Sequence, residues 1–317
     1  MSNDLYSPEE SVKANIECLS RLQLIQCERR ICEIAELAER AAKSSLEMIN
    51  DGAEIYELLV MVAEEYITSE CEVHSEAISE NLDRLRFQLE RLSLMDKAYF
   101  AELYTSILRD MGVGISENDF LSESTSAQTF VYVKNVYADE AYDVFAQDFD
   151  DPRVRYAGSF KEALGLVDSG EVTYCLLPLE ERGARLATVA ELLYRYELKI
   201  NSVIPVFGLD GAADMKYALV SRGYTVPERA FGDDRYLEIR LDGKGAATLS
   251  ELLTVAEAYS VRVYRVNTLA FPTEEGKKEY YSVVFSGEDV DFTTLLVFLT
   301  LFAPDYTAVG IYKNLET

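Results

Sequence analysis

The chain has 317 residues, 49% of them hydrophobic and 27% charged, and its formal net charge is −26. This acidic balance disfavours nucleic acid and anionic membrane surfaces as partners, because binding to phosphate requires clustered lysine and arginine. The sequence has no run of about 18 apolar residues, so we expect no membrane-spanning helix. The acidic first residues lack the basic and apolar blocks of a signal peptide, so we expect a cytoplasmic location.

The cysteine and histidine residues do not indicate a metal site or a redox site. The five cysteines form no CxxC pair, and helical or strand patterns surround them, which favours buried free thiols. The single histidine, His74, stands in the acidic stretch SECEVHSEA, which is typical of a solvated linker or helix face. We therefore expect no metal and no cofactor.

The first third of the chain has the spacing of amphipathic helices. Apolar residues recur at intervals of three and four, glycine occurs once (Gly52), and no proline follows Pro8 up to residue 111. The pattern predicts helices over 8–49, 53–67, 75–93 and 96–111, and therefore an all-helical domain over residues 1–114. The polar, serine-rich stretch 115–128 predicts a linker.

The pattern then changes to alternating strands and helices over residues 129–223. Strands are predicted at 129–136, 154–157, 174–177, 199–206 and 215–221. Helices are predicted at 138–147, 159–169 and 187–196. Alternation of this kind predicts an α/β domain with a parallel sheet. The apolar run of 174–177 enters the polar residues PLEERGA, which indicate a loop at the carboxyl end of a strand, where α/β proteins bind ligands.

Residues 235–317, after a second linker at 223–234, form another pattern. Strands are predicted at 236–241, 263–270, 279–285 and 307–311, and helices at 247–259 and 291–302. The order is βαββαβ, which is that of a ferredoxin-like domain. The fold class expected for the whole chain is multidomain, with an all-α region, a central α/β region and a ferredoxin-like end.

Three segments of the central region suggest a family. They are the helix Phe160–Gly170, the strand and loop Cys175–Glu180, and Glu191–Leu193 followed by Leu198–Ile200. In order and spacing they resemble prephenate dehydratase, whose corresponding loop reads G-V-V-P-I-E-N-S. The last 80 or so residues resemble the ACT regulatory domain that follows it, with Gly245-Ala246 at its G-A-L turn and Gly310–Tyr312 at its closing L-G-S-Y.

The resemblance implies a type II periplasmic-binding-like fold and a reaction that converts prephenate to phenylpyruvate with loss of water and carbon dioxide. In the family, a threonine in a T-R-F motif acts as the general acid, and the arginine beside it and the N-S of E-N-S hold the substrate. The helical region corresponds in architecture to the chorismate mutase domain of bifunctional members. The partners implied are a small aromatic carboxylate (prephenate, chorismate or phenylalanine) and a second copy in a homodimer.

The positions that carry the chemistry depart from the family pattern. The glycine-rich substrate loop falls on residues 133–138, which hold no glycine and include Lys134 and Asn135. The T-R-F motif falls on residues 215–217, where Met215 has no proton to give, which leaves Lys216 and Tyr217 as catalytic candidates. The E-N-S motif falls on three further substrate-binding candidates: Glu180, Glu181 and Arg182. The family's phenylalanine-binding E-S-R-P falls near Asn267–Ala270, which carry no charge.

Three hypotheses follow from these departures. The chain is an inactive relative that binds an aromatic metabolite or a partner and regulates, an active dehydratase that also carries mutase activity, or an interaction protein that dimerises. For the helical region, Arg29 and Arg40 are separated by about three turns and could share one face as mutase-like contacts. Alternatively, they are surface charges paired with nearby glutamates, and the long helix is a dimer coiled coil.

Overall fold

The computed structural model describes the chain in nine stretches, residues 8–50, 87–120, 128–207, 213–224, 234–243, 248–273, 276–288, 291–303 and 305–313. The predicted helix 53–67, most of the predicted helix 75–93, His74, Gly245 and Ala246 lie outside them. The chain divides into two compact units, Met1–Ile115 and Ser116–Thr317. Among the described residues, none of the helices has the length and apolar character needed to cross a membrane.

The first unit contains the helices α1 (Pro8–Asn50) and α2 (Leu94–Asp110), and residues 87–90 are also helical. Helix α2 begins at a reciprocal cap, in which the Ser93 hydroxyl accepts from the Asp96 backbone N–H and the Asp96 carboxylate accepts from the Ser93 N–H. The second half of α1 packs on α2, and a hydrogen bond of 2.6 Å joins Ser45 Oγ to the buried Tyr104 hydroxyl. The predicted helix limits of 8–49 and 96–111 agree with these bounds to within two residues.

The second unit is mixed α/β. Its strands are β1 (Thr129–Tyr132), β2 (Arg153–Tyr156), β3 (Tyr174–Glu181), β4 (Ala184–Arg185), β5 (Lys199–Phe207), β6 (Ala213–Ser221), β7 (Asp234–Asp242), β8 (Arg262–Thr273), β9 (Gly276–Glu288) and β10 (Tyr306–Lys313). Its helices are α3 (Val136–Phe145), α4 (Phe160–Asp168), α5 (Ala187–Arg195), α6 (Leu249–Ala258) and α7 (Thr293–Phe302). Short 3₁₀ turns occur at Glu117–Phe120 and Ala146–Asp148.

All ten strands belong to one mixed sheet in the order β2-β1-β3-β6-β5-β10-β7-β9-β8, with β4 paired to β3. Strand β1 is parallel to β2 and β3, whereas β6 is antiparallel to both β3 and β5. The parallel sheet predicted for residues 129–223 is therefore confirmed for β1, β2 and β3 and wrong for β6. The cause is the connection from β5 to β6, residues 208–212, which is too short for the crossover that a parallel neighbour requires.

Strand β3 continues four residues beyond its predicted end and includes Pro178–Glu181. It then turns back through Arg182 and Gly183 into β4, and Glu181 pairs with Ala184. Both turn residues have positive φ, 47° and 78°, which matches the two-residue hairpin whose twist suits its strands. The residues expected to form a loop at this position form instead a strand end and a tight hairpin.

Strands β10, β7, β9 and β8 are antiparallel neighbours, and with α6 and α7 the elements follow the order βαββαβ. Leu237, Ile239 and Leu241 alternate along β7 and are buried. The residues between them point to the opposite side, which contacts β3–β6 and α5. We call this side the docking face. Its members are Tyr236, Glu238 and Arg240 on β7, Arg265, Leu269 and Phe271 on β8, Tyr280 and Ser282 on β9, and Tyr312 on β10.

One close backbone contact joins β10 to β5, at the pairing of Gly310 with Ile200. A Cβ atom at position 310 would lie 2.5 Å from the Ile200 carbonyl oxygen. Only glycine allows the two backbones to approach this closely. Residue 310 therefore determines how the βαββαβ strands join the rest of the sheet.

The start of the predicted linker is part of the second unit. Glu117 is buried, accepts a hydrogen bond of 2.9 Å from the Phe292 N–H just before α7, and forms an ion pair of 2.5 Å with Arg235. Burial raises the pKa of Glu117, and its bonds to Phe292 and Arg235 oppose that rise. Residues 121–127 of the predicted linker lie outside the described residues.

Candidate functional site

Glu180 is the centre of a buried ionic cluster between β3 and the docking face. Its side chain is 8% exposed, and Arg265 of β8 donates to its Oε1. Lys216 of β6, its cross-strand neighbour, places Nζ 4.0 Å from Oε2. Glu180 Oε2 accepts no hydrogen bond from the described residues. Two residues that the sequence assigned to the site therefore meet, and they are joined by an arginine 85 positions away along the chain.

The space beside this cluster is small. A cavity of about 20 Å³ is lined by Leu179, Glu180, Val203, Lys216, Tyr236, Tyr264, Arg265, Val284 and Tyr312. This volume is enough for one water molecule. It is far below the roughly 300–1,000 Å³ of a small-molecule site. A water at Glu180 Oε2 would satisfy the orphaned oxygen.

A second buried ionic cluster is centred on Glu238 of the docking face. Its carboxylate is 2% exposed and accepts hydrogen bonds from Arg185 at 2.8 Å, Ser282 at 3.1 Å and Tyr312 at 3.0 Å. Burial, followed by the Glu238 charge, raises the pKa of Tyr312 well above its ordinary value. The carboxylate is therefore surrounded by donors, as a charge in this setting requires.

Aromatic side chains complete the contact between α5 and the docking face. The Tyr194 ring stacks on Phe271 with centroids 5.4 Å apart, and it lies 4.7 Å from the Tyr280 ring. The hydroxyl groups of Tyr194 and Tyr280 are hydrogen-bonded. Ala190 and Leu269 pack against the same rings. Apolar packing and buried charges thus hold the docking face against the first half of the sheet.

Tyr217 and Asn135, two further predicted site residues, bind to each other. The Tyr217 hydroxyl donates to Asn135 Oδ1 at 3.2 Å, and the same oxygen accepts from the Ala138 N–H at 2.9 Å as the cap of α3. Tyr217 is buried, and burial raises its pKa. Met215 packs against the same apolar cluster. The phenolic proton of Tyr217 is therefore weakly acidic and already engaged.

The remaining α/β candidates lie at the surface. Lys134 places its ammonium 4.8 Å from the centre of the Tyr156 ring. Glu181 and Arg182 are exposed in the hairpin, and the Arg182 N–H donates to the Asp214 carbonyl at 2.8 Å. None of these three takes part in the Glu180 or Glu238 cluster.

The helical unit has a larger pocket of its own, about 320 Å³. Its lining comprises Arg30, Glu33, Ile34, Glu36, Leu37, Arg40, Gln88, Arg91 and Leu92. Arg40 donates to Gln88 Oε1 at 3.2 Å, and Arg30 forms an ion pair of 2.9 Å with Asp96. Arg29, the other predicted contact, is 81% exposed, pairs with Glu33 and is absent from this lining.

Sequence reasoning missed most of the residues that form these contacts. Arg185, Glu238 and Arg265 are separated from their partners by 44 to 85 positions. One signal was present in β7, where Tyr236, Glu238 and Arg240 alternate with buried leucine and isoleucine. Among the described residues, no cluster of three or more histidine, cysteine or acidic side chains could hold a metal ion.

No protein-family model matches the sequence, and no curated protein matches it. Some solved structures are similar. Prephenate dehydratase from Streptococcus mutans is 12% identical, with a TM-score of 0.47 over 60% of this chain and 100% of that one. Prephenate dehydratase from Arthrobacter aurescens, solved with L-Phe, is 13% identical, with a TM-score of 0.43 over 59% of this chain and 90% of that one.

A third solved structure is GqqA, described as a novel type of quorum quenching acylase. It is 15% identical, with a TM-score of 0.44 over 60% of this chain and 97% of that one. Identities and TM-scores of this size assign neither an activity nor a substrate to this chain.

Proposed function

We propose that Ser116–Thr317 is a dehydratase-like framework that serves binding or regulation and does not dehydrate prephenate. The observation that carries this proposal is the state of Glu180 and Lys216. Both stand at motif positions that would face substrate in the family, yet they meet in a buried cluster with Arg265. The adjoining cavity of about 20 Å³ has no room for a substrate.

The missing proton donor supports the same conclusion. Loss of hydroxide needs a positioned acid, and Met215 cannot supply one. Tyr217 is the nearest alternative, but its hydroxyl donates to Asn135 and its pKa is raised. A weakened acid whose proton is held by a helix cap is a poor general acid.

The test is a direct assay with the whole chain. Purified protein is incubated with prephenate at neutral pH and phenylpyruvate is followed, beside samples without protein. We expect the rate of the protein-free sample. Turnover within about a hundredfold of ordinary enzyme rates of 1–10³ per second, lost in Lys216→Ala and kept in Lys161→Ala, would establish a dehydratase instead.

The binding role has its own test. A thermal-shift series uses phenylalanine, tyrosine, prephenate and chorismate at millimolar concentration, since a ligand that binds the folded state alone raises the unfolding temperature. We expect a rise with at least one of them. No rise with any of the four would favour a protein that acts only through interaction and dimerisation.

The pocket of the helical unit supports a second candidate function, which is binding of a small dicarboxylate with mutase chemistry. Three arginines and Gln88 line about 320 Å³, and guanidinium groups bind carboxylates with two parallel hydrogen bonds. The assay is consumption of chorismate. We expect Arg40→Ala to abolish it and Arg29→Ala, a matched change outside the pocket, to leave it intact. No consumption by the unaltered chain, or equal rates in both variants, would exclude this candidate.

A further inference from the structure

The sheet has two halves, the strands β1–β6 and the strands β7–β10, which join where β5 pairs with β10. Two cations lie at this junction, one on each side of β10. Lys199 is the first residue of β5, and its Nζ donates to the Ala308 carbonyl of β10 at 2.9 Å. Arg240 lies on β7 and is the cross-strand partner of Thr307, the residue before Ala308. The Lys199 ammonium and Arg240 therefore meet β10 at the adjacent residues Ala308 and Thr307, from the strands on its two sides.

Neither cation forms an ion pair with a carboxylate among the described residues. The Arg240 guanidinium carbon lies 4.4 Å from the Tyr194 ring centre and 5.7 Å from that of Tyr280. Glu197 and Glu238 are near enough to attract Arg240. Glu238, however, already accepts from Arg185, Ser282 and Tyr312. Aromatic faces compensate a cation less well than a carboxylate does.

The pKa values show the cost of this arrangement. Burial lowers the pKa of Lys199, the Arg240 charge lowers it further, and the Glu197 charge opposes the shift only in part. Burial also lowers the pKa of Arg240. Two like charges that are withdrawn from water and paired with no carboxylate of their own destabilise each other, which makes a further negative group at this place favourable.

A third donor lies nearby. Tyr224 is 5% exposed, and its hydroxyl has no hydrogen-bond partner among the described residues. The Lys199 ammonium lies 5.9 Å from its ring centre. Buried polar groups are nearly always paired, so an added acceptor at this corner would satisfy the Tyr224 hydroxyl.

We propose that Lys199 and Arg240 together bind an oxyanion, the carboxylate or phosphate of a small molecule, at the junction of β5, β10 and β7. An oxyanion offers several acceptor oxygens, which suit both an ammonium and a planar guanidinium. Both side chains are half-buried and so remain reachable from water. The site is separate from the Glu180 cluster, and its existence does not depend on whether the chain dehydrates prephenate.

The ligand would contact both halves of the sheet at once. Lys199 belongs to the strands that precede the βαββαβ elements, and Arg240 belongs to the docking face. An anion held between them replaces repulsion by two charge-assisted contacts. Binding should therefore strengthen the contact between the halves, which gives the junction a means of responding to a metabolite.

The first experiment is calorimetric titration of the full chain at low ionic strength, with inorganic phosphate in one arm and benzoate in the other. We expect a dissociation constant in the millimolar range or tighter for at least one probe, weakened by added salt. Binding in one arm alone identifies that group as the ligand's, and binding in both supports the shared oxyanion chemistry. Absence of binding in both arms at millimolar concentrations overturns the proposal.

Variants locate the binding. Lys199→Met and Arg240→Met should each weaken it at least tenfold, whereas Lys199→Arg, which keeps the charge, should retain it. Arg153→Met is the matched control, since Arg153 is a surface arginine 78% exposed that pairs with Asp151. Equal affinity in both Met variants and the control would refute the site.

A labelling measurement on the unaltered chain covers the case in which a variant fails to fold. Amine acetylation at Lys199 is followed by peptide mass spectrometry with and without the probe that binds. We expect the anion to slow modification at Lys199 severalfold and to leave the exposed Lys161 unaffected. Equal rates at Lys199 with and without anion would contradict the proposal.

Discussion

At the junction between the two halves of the sheet, buried charges are paired in one place and lack a counter-ion of their own in another. The Glu238 carboxylate accepts hydrogen bonds from an arginine, a serine and a tyrosine, and its ion pair with Arg185 is almost fully buried. Around Lys199 and Arg240, two cations face aromatic rings and a carbonyl, and neither forms an ion pair with a carboxylate among the described residues.

The difference separates a structural role from a binding role. A buried charge with all its partners is costly to disturb and has nothing left to offer a ligand. A half-buried charge without a counter-ion adds little to stability and retains its capacity to bind. The following changes probe that contrast, from the largest expected effect to the smallest.

Glu238→Gln should have the largest effect. It leaves the Arg185 guanidinium, 8% exposed, without its anion, and breaking a buried pair on one side costs about 3–5 kcal/mol. Urea denaturation measures the loss. Glu191→Gln breaks an exposed pair with Arg195 and should cost no more than about 0.5 kcal/mol. Comparable losses in the two variants would show that the Glu238 cluster is not structurally special.

Gly310→Ala should come next. The new Cβ would meet the Ile200 carbonyl, and forcing apart a packed contact costs about 1–3 kcal/mol. Gly165→Ala is the matched change, because Gly165 lies inside α4 with no atom within 4 Å of a Cβ. It should stabilise the chain by about 0.5–1 kcal/mol. A Gly310→Ala protein as stable as the original would mean that β10 and β5 can separate freely.

Lys199→Met tests the Lys199 and Arg240 site through the pH dependence of stability. Because the folded-state pKa of Lys199 is lowered below the ordinary 10.5, its charge opposes folding at neutral pH. This penalty disappears as pH rises through the folded pKa towards 10.5. The unaltered chain should therefore gain stability relative to Lys199→Met between pH 7 and that value, by less than about 1 kcal/mol, given the screening of a half-exposed charge.

Denaturation at several pH values measures this gain. Lys161→Met, at an exposed lysine, gives the background from other titrations, including those of the tyrosines. A stability difference that does not change with pH would mean that Arg240 and burial exert no net effect on Lys199.

Arg182→Ala should have the smallest effect. Arg182 is exposed in the β3–β4 hairpin and belongs to neither ionic cluster. We expect a change within about 0.5 kcal/mol and unaltered anion binding. A loss of phosphate or benzoate affinity in Arg182→Ala would return the hairpin to the list of candidate ligand contacts.

Helices and strands could be predicted from the sequence to within a few residues, because their buried sides follow local periods. The predicted strand 263–270 falls inside β8 (Arg262–Thr273), and the predicted helix 187–196 matches α5 (Ala187–Arg195). Strand direction could not be predicted so well. It depends on which strands become neighbours, and the antiparallel place of β6 between β3 and β5 is a property of the whole sheet.

The candidate site shows the same limit more sharply. The motif comparison selected Glu180 and Lys216, which do lie together. It could not supply Arg265, because that residue comes from a strand 85 positions later and meets Glu180 only after the docking face is in place. The partners in a buried ion pair follow no periodic pattern along the chain, so a single sequence does not show which residues will pair.

The position of Glu117 bears on where the polypeptide can be divided. The polar sequence of 115–128 suggests a boundary at which the chain could be truncated. The Glu117 carboxylate, however, accepts a hydrogen bond from the Phe292 N–H at the start of α7 and forms an ion pair with Arg235. A fragment that begins at residue 121 would remove the carboxylate that pairs with Arg235 and that accepts from the Phe292 N–H. A fragment that begins at residue 116 keeps both contacts, so proteolytic trimming that stops before Glu117 should yield the more durable product.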